Sequence, residues 1–258
     1  MVHATGSWTA GLGELSYRRE GDPARPSVVL IHAVGTSTHL WDGVIPILAA
    51  EVDVVAIDLL GHGASSDPRR DLTIPEHADA VAGLVEHLGI DPVTLTGCSL
   101  GALIALDVAA RRPGLVSSLV LNGCPGWHLE SQRTERLISI AERLGPSGRP
   151  GPDFGLAGTA RPPSAEVAAR RMEDLQRCGR WFLSSWWAMA AFDPVPRLEH
   201  IRCPTHLAMG ESDFHLATSS TLTEGISDVR LSVIPGAGHL TPFDDARAIA
   251  RLVLDSVR

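Results

Sequence analysis

Six short, apolar, β-branched runs recur along the chain with helical stretches between them: Ser27 to Ile31, Val52 to Leu59, Val93 to Gly97, Val116 to Asn122, His206 to Gly210 and Val229 to Ile234. Strands this apolar need cover on both faces, and strands joined through helices run side by side in one direction. The alternation therefore predicts an α/β fold, a mostly parallel sheet with helices on both faces. The stretch from about His3 to Glu20, with Gly11 and Gly13 in its middle, predicts an antiparallel hairpin leading into that sheet. Helices are expected over Ile74 to Leu88, where Gly89 is a natural stop, over Leu100 to Ala110, and over Pro242 to Val257.

The strand pattern fails between about Cys124 and Pro196, where Pro and Gly collect from Gly145 to Pro163 between helical stretches. This divides the chain into a core from 1 to 123 and from 197 to 258, with an inserted helical lid from 124 to 196. The lid holds Trp181, Phe182, Trp186 and Trp187, and Trp127 stands at its entry. These tryptophans are candidates for an apolar substrate pocket; the competing reading is that they only glue the lid helices to the core.

Composition narrows the function. The 258 residues suffice for one α/β domain with a modest insertion, and a net charge of -8 without any basic run argues against nucleic acid as a partner. Every basic side chain is Arg, which excludes a lysine Schiff base. No apolar run approaches the length of a membrane span, and Met1 to Gly11 lacks the pattern of a secretion signal, so a cytoplasmic protein with no membrane partner is expected. Cys98, Cys124, Cys178 and Cys203 form no C-x-x-C pair and are expected to be reduced, buried thiols rather than metal ligands. No cofactor and no metal are signalled; the expected partner is a small-molecule substrate, and the oligomeric state is not legible.

Gly97-Cys98-Ser99-Leu100-Gly101 is a G-x-S-x-G placed directly between a β-rich run and a helical run. A turn tight enough to project a serine hydroxyl there forces strained angles and close neighbours, hence the glycines. The helix that follows aims its positive end, and the Leu100 N–H, at the position of a developing oxyanion. Cys98 faces away from Ser99 in such a turn and is expected to pack. A serine needs a base, and the base needs an orienting carboxylate. Pro204 to Asp213 puts an acid after one late strand, and Leu231 to His239 puts a histidine, approached through Gly236 and Gly238, after the next. Ser99, Asp213 and His239 are the expected triad. Glu211 is the rival carboxylate, ranked second because it immediately follows the Gly210 turn.

With these motifs in hand, the chain resembles the lid-bearing α/β-hydrolase superfamily. Besides the serine turn, the resemblance rests on Leu30-Ile-His32-Ala33-Val34-Gly35, Asp58 to Ser65, Gly210 to Asp213 and Gly236 to His239. It implies that the Val34 N–H is the second oxyanion donor, that His32 organises its loop, and that His62 belongs to a structural turn. Ala33 replaces the glycine usual after that histidine. The stretch Val34 to Asp42 together with the serine turn is similar to the 3-oxoadipate enol-lactonase group, which implies a carboxylic ester or lactone substrate. Ser99 argues against the superfamily members with an Asp nucleophile, and the sole tyrosine, Tyr17, lies outside the lid where epoxide hydrolases use theirs. The same triad also serves C–C bond hydrolysis, non-hydrolytic acyl transfer or lyase steps, and perhydrolysis, and a ligand-binding protein without turnover is a further alternative.

Overall fold

A computed structural model describes residues 2–145, 149–151, 154 and 158–257. Part of the Pro- and Gly-rich run between Gly145 and Pro163 lies outside the described residues. One eight-stranded sheet runs through the core in the order β1-β2-β4-β3-β5-β6-β7-β8. Its strands are β1 (Val2–Ala10), β2 (Gly13–Gly21), β3 (Ser27–Ile31), β4 (Asp53–Asp58), β5 (Val93–Cys98), β6 (Val116–Asn122), β7 (Thr205–Gly210) and β8 (Val229–Ile234). The hairpin β1–β2 is antiparallel and β2 joins β4 antiparallel. All remaining pairs are parallel.

Successive side chains of β3 go to opposite faces, as the period of a strand requires. Val29 and Ile31 pack into one apolar layer, and Val28 and Leu30 into the other. The first layer is covered by helices α1 (Ile74–Leu88) and α2 (Leu100–Arg111), the second by α6 (Ala246–Val257) and the Trp41 to Leu48 segment. Each such fully buried Val, Ile or Leu contributes roughly 1.5–3 kcal/mol. Helix α1 begins where Thr73 and Glu76 cap each other's backbone N–H groups and ends at Gly89, whose φ of 61° is open to glycine at little cost. The C-terminal helix expected from Pro242 to Val257 is instead two pieces. A short helical turn, Thr241–Asp244, is separated from α6 by Asp245, whose backbone leaves the helical region (φ -146°, ψ 79°) and whose carboxylate accepts the Ala248 N–H. Asp245 favours capping a new helix over continuing an old one.

Between β6 and β7 the chain leaves the sheet and forms α3 (Glu130–Glu142), α4 (Ala165–Cys178) and α5 (Trp181–Ala191). The chain visits β3, crosses to β4 on one side and then to β5 on the other, so the strand order reverses beside β3. The crevice at the carboxyl ends of β3 and β5 is where open α/β sheets place ligands. Among the described residues, no helix is long and apolar enough to cross a membrane.

Candidate active site

Ser99 stands at that crevice, between the end of β5 and the first turn of α2. Its φ of 53° and ψ of -110° make it the one described residue other than glycine with positive φ. Holding an L side chain there costs about 1–3 kcal/mol, and the surrounding backbone over-determines it. A Cβ on Gly97 would overlap the Gly101 carbonyl, and a Cβ on Gly101 would overlap the Ile31 carbonyl, so both glycines are required by close approach. The Ser99 N–H donates to the Asn122 carbonyl at 2.9 Å, which ties the turn to β6. The Ser99 hydroxyl is buried and has no hydrogen-bond partner among the described residues. Cys98 points into the opposite apolar layer, and burial pushes its thiol well above the usual range.

Asp213 follows β7 and His239 follows β8. A Cβ on Gly210 would overlap the Gly238 carbonyl, so glycine lets the two loops meet. His239 Nδ1 lies 3.1 Å from both carboxylate oxygens of Asp213, and both side chains are buried. An ionised carboxylate only accepts, so Nδ1 carries the proton, and Nε2 is the ring nitrogen left for another partner. The His215 N–H also donates to Asp213 Oδ1, at 2.8 Å. Glu211, the rival acid, turns outward and accepts the Gly236 N–H at 2.9 Å. Beneath the His239–Asp213 pair sits Gly123, with φ of 56°. A Cβ there would lie 2.8 Å from His239 Nδ1 and 3.0 Å from Asp213 Oδ2. Sequence reading had no signal for Gly123, whose role is visible only once β6, β7 and β8 are side by side. Gly123→Ala is expected to lower kcat/KM for an ester substrate by about 100-fold by displacing the imidazole. Wild-type rates in the alanine variant, measured beside a far-UV spectrum showing the fold intact, would remove Gly123 from the account.

The loop after β3 carries Val34. His32 Nδ1 donates to the Ala33 carbonyl at 2.7 Å, and Nε2 accepts the Leu59 N–H at 3.0 Å, so the ring staples the β3 loop to the β4 loop. Burial holds His32 neutral, its pKa pushed down to about 4. Ala33 does not need the left-handed region; Gly35, at φ of 67°, takes it instead. The change from glycine to alanine at residue 33 therefore leaves the turn intact. Among the described residues, neither the Val34 nor the Leu100 N–H donates to another backbone carbonyl. The Asp58 to Ser65 turn is held by its own carboxylate and hydroxyl and by the neighbouring loops. Asp58 accepts the Thr38 and Ala64 N–H groups at 2.7 and 2.9 Å, while Ser65 Oγ donates to the Asp58 carbonyl. His62 is fully buried inside it.

A cavity of about 90 Å³ has Ser99, His239 and Val34 in its wall. Of the four tryptophans named from the sequence, the structure brings only Trp186 to that wall. Trp127 lies a layer behind, stacked on Trp186 and edge-on to His215. Trp181 packs on Gly61, where any Cβ would collide with it, and so anchors α5 to the β4 loop. Trp187 is 59% exposed. The remaining wall comes in pairs one helical turn apart: Arg136 and Ile140 on α3, Arg171 and Leu175 on α4, Phe182 and Trp186 on α5. Arg143, Phe154, Phe214 and Leu240 also line it. None of the arginines was read from the sequence, although Arg136, Ile140 and Arg143 share a helical spacing that could have shown a common face. Among the described residues, no group of three or more His, Cys, Asp or Glu side chains could hold a metal ion.

A family model for the α/β-hydrolase fold matches residues 26–139. Over 115 residues, 45% of the chain, the sequence is 37% identical to an uncharacterised protein of Mycobacterium tuberculosis; the match spans only 34% of that relative's length. Full-length similarity, 25% identity over 98% of this chain and 96% of the other, links it to 3-oxoadipate enol-lactonase 2 of Acinetobacter baylyi. The structure superimposes on that of a hydrolase from Pseudomonas aeruginosa with a TM-score of 0.82 and 24% identity, covering 98% of each chain. Sheet order, serine turn and these similarities agree: the chain has the α/β-hydrolase fold and is similar over nearly its full length to an enol-lactonase.

Proposed function

We propose that the protein is a serine hydrolase that cleaves a carboxylic ester or lactone of a small, partly apolar substrate through an acyl-enzyme. The observation that carries this reading is Ser99, held at positive φ in the same cavity wall as His239, whose Nδ1 is fixed on Asp213. In the first half-reaction His239 Nε2 takes the Ser99 proton while Oγ bonds to the substrate carbonyl carbon. The oxygen of the tetrahedral intermediate accepts from the Leu100 and Val34 N–H groups. The C–O bond to the leaving group then breaks and the alkoxide takes the proton from His239. Water repeats the sequence on the acyl-enzyme, giving its proton to His239 and its oxygen to the acid, and Ser99 recovers its proton. Helices α3 to α5 and their connections act in this reading as the lid that decides the substrate. The similarity to an enol-lactonase supports lactones among the substrates to be tried.

A panel of aryl esters, five- and six-membered lactones and vinylogous diketones, assayed in oxygen-18 water, tests the reading. Turnover of esters or lactones with one labelled oxygen in the released acid is expected. Acid released without label, or turnover confined to the diketones with C–C cleavage, would replace ester hydrolysis by one of the other reactions open to the triad.

A further inference from the structure

The cavity at Ser99 is cationic in a protein of net charge -8. Arg136, Arg143 and Arg171 reach its wall, and among the described residues no Asp or Glu does. Elsewhere the chain gives its arginines carboxylates at close range: Arg18 to Asp42, Arg19 to Asp53, and Arg111 and Arg197 to Asp107, at 2.7–2.9 Å. Arg136 is treated differently. Among the described residues no Asp or Glu oxygen lies within 4.0 Å of its guanidinium, and its Nε is buried without a hydrogen-bond partner. The group instead lies 4.2 Å from the centre of the Phe214 ring and 5.6 Å from that of Trp186. Arg143 rests on Phe154, 4.3 Å from the ring centre, again with no ion pair among the described residues. Burial, then the charge of Arg143, holds the Arg136 guanidinium below its usual range, so the neighbouring cations repel each other across the wall.

A guanidinium that is partly desolvated and left with donors but no acceptor is unfavourable unless an anion completes it. Aromatic faces compensate part of this charge but supply no hydrogen-bond acceptor. We propose that this wall is the seat of a carboxylate on the substrate, held by Arg136 with Arg143 while the scissile carbonyl faces Ser99. The inference rests on the serine-hydrolase reading for the identity of the scissile group. Phe214 touches both ends of the arrangement: its ring centre lies 4.4 Å from that of His239 and 4.2 Å from the Arg136 guanidinium. The anion and the reacting carbonyl are therefore a few carbons apart, as in the monoester of a short dicarboxylic acid or a lactone bearing a carboxylate side chain.

Two esters of equal acyl length separate charge from size: the mono-p-nitrophenyl ester of glutaric acid and p-nitrophenyl pentanoate. The wild-type protein is expected to favour the anionic ester by at least 10-fold in kcat/KM. Arg136→Met is expected to bring that ratio to about one, and Arg136→Lys to retain an intermediate ratio that falls with added salt. A wild-type ratio of one or less, or a ratio that survives Arg136→Met, overturns the proposal. Should Arg136→Met fail to fold, Arg143→Met on the exposed rim gives the same reading, with at least a threefold fall in the ratio expected and an unchanged ratio contradicting it. Titration of glutarate into Ser99→Ala, followed by tryptophan fluorescence, keeps the inference separable from the serine reading. Saturable binding that weakens at least 10-fold on adding Arg136→Met supports the anion seat even if no ester is turned over. No saturable binding overturns it even if Ser99 proves to be the nucleophile.

Discussion

Ser99→Ala and His239→Ala are each expected to lower kcat/KM for an ester substrate by about four or more powers of ten, and the double variant to be little worse than either alone. The non-additivity follows from how the parts are held. The Ser99 hydroxyl has no hydrogen-bond partner among the described residues, and in the proposed reading His239, its Nδ1 held on Asp213, offers it the Nε2 nitrogen. Once either member is gone, the other has no partner to act on. Asp213→Asn is expected to cost about as much while leaving the loop in place, since an amide nitrogen facing Nδ1 reverses the tautomer and turns the lone pair away from the serine. Stability separates these variants from damaged ones. Ser99→Gly relieves the backbone strain at φ of 53° and is expected to unfold at higher denaturant, by roughly 1 kcal/mol, while being inactive. Steady-state kinetics and urea unfolding on the same preparations check both halves.

The second large effect is a loss of stability in mild acid. Burial pushes His32 down to about 4 and His62 and His77 to about 3, with the His32 and His62 rings 5.1 Å apart adding mutual repulsion. His215 is shifted in the same direction, burial again being the main cause. In the unfolded chain these groups take a proton below about pH 6.5, whereas in the folded protein they refuse it until about pH 3–4. The unfolded state therefore binds more protons throughout that window, and stability falls as the pH falls through it. Each buried imidazole contributes a slope of about 1.4 kcal/mol per pH unit, so the His32, His62 and His77 group gives roughly 4 kcal/mol per unit between about pH 6 and 4. Over those two units the loss is roughly 8 kcal/mol, enough to unfold a domain in the lower part of the ordinary range of about 5–15 kcal/mol. Urea denaturation at pH 7.5, 6.5, 5.5 and 4.5 should show a plateau above pH 7 and a steep fall below it. His77→Leu should remove about a third of the slope attributable to these three; an unaltered slope would mean that His77 is solvated in the folded state.

Much of the scaffold was legible because its signals are local. A run such as Val116 to Asn122 carries Val and Leu at four of its seven positions and is buried at all but one, and the strand found there has the same bounds. Thr73, Glu76 and Gly89 mark the two ends of α1 in the sequence itself. The continuous helix expected from Pro242 was wrong at Asp245, where a residue of helical spacing prefers to cap a new helix. At the site, the backbone requirements of the serine turn are visible as Gly97 and Gly101, whereas the partners that make a side chain useful come from distant segments. Trp181 and Trp186 are equally aromatic and five residues apart on one helix, yet one meets Gly61 and the other meets the cavity. Arg136 was invisible for the complementary reason: a surface-type residue on a polar helix reads as solvated, and only the packing of Phe214 and Trp186 against it makes it an exception.

The central claim is that Ser99 is the nucleophile activated by His239. Incubation with a fluorophosphonate followed by intact-mass and peptide mass spectrometry tests it most directly, because the reagent bonds only to a serine whose hydroxyl is activated in place. One adduct per chain on the peptide containing Ser99, absent in Ser99→Ala and strongly slowed in His239→Ala, is the expected result. An adduct on another residue, or labelling of Ser99→Ala at the wild-type rate, would contradict it.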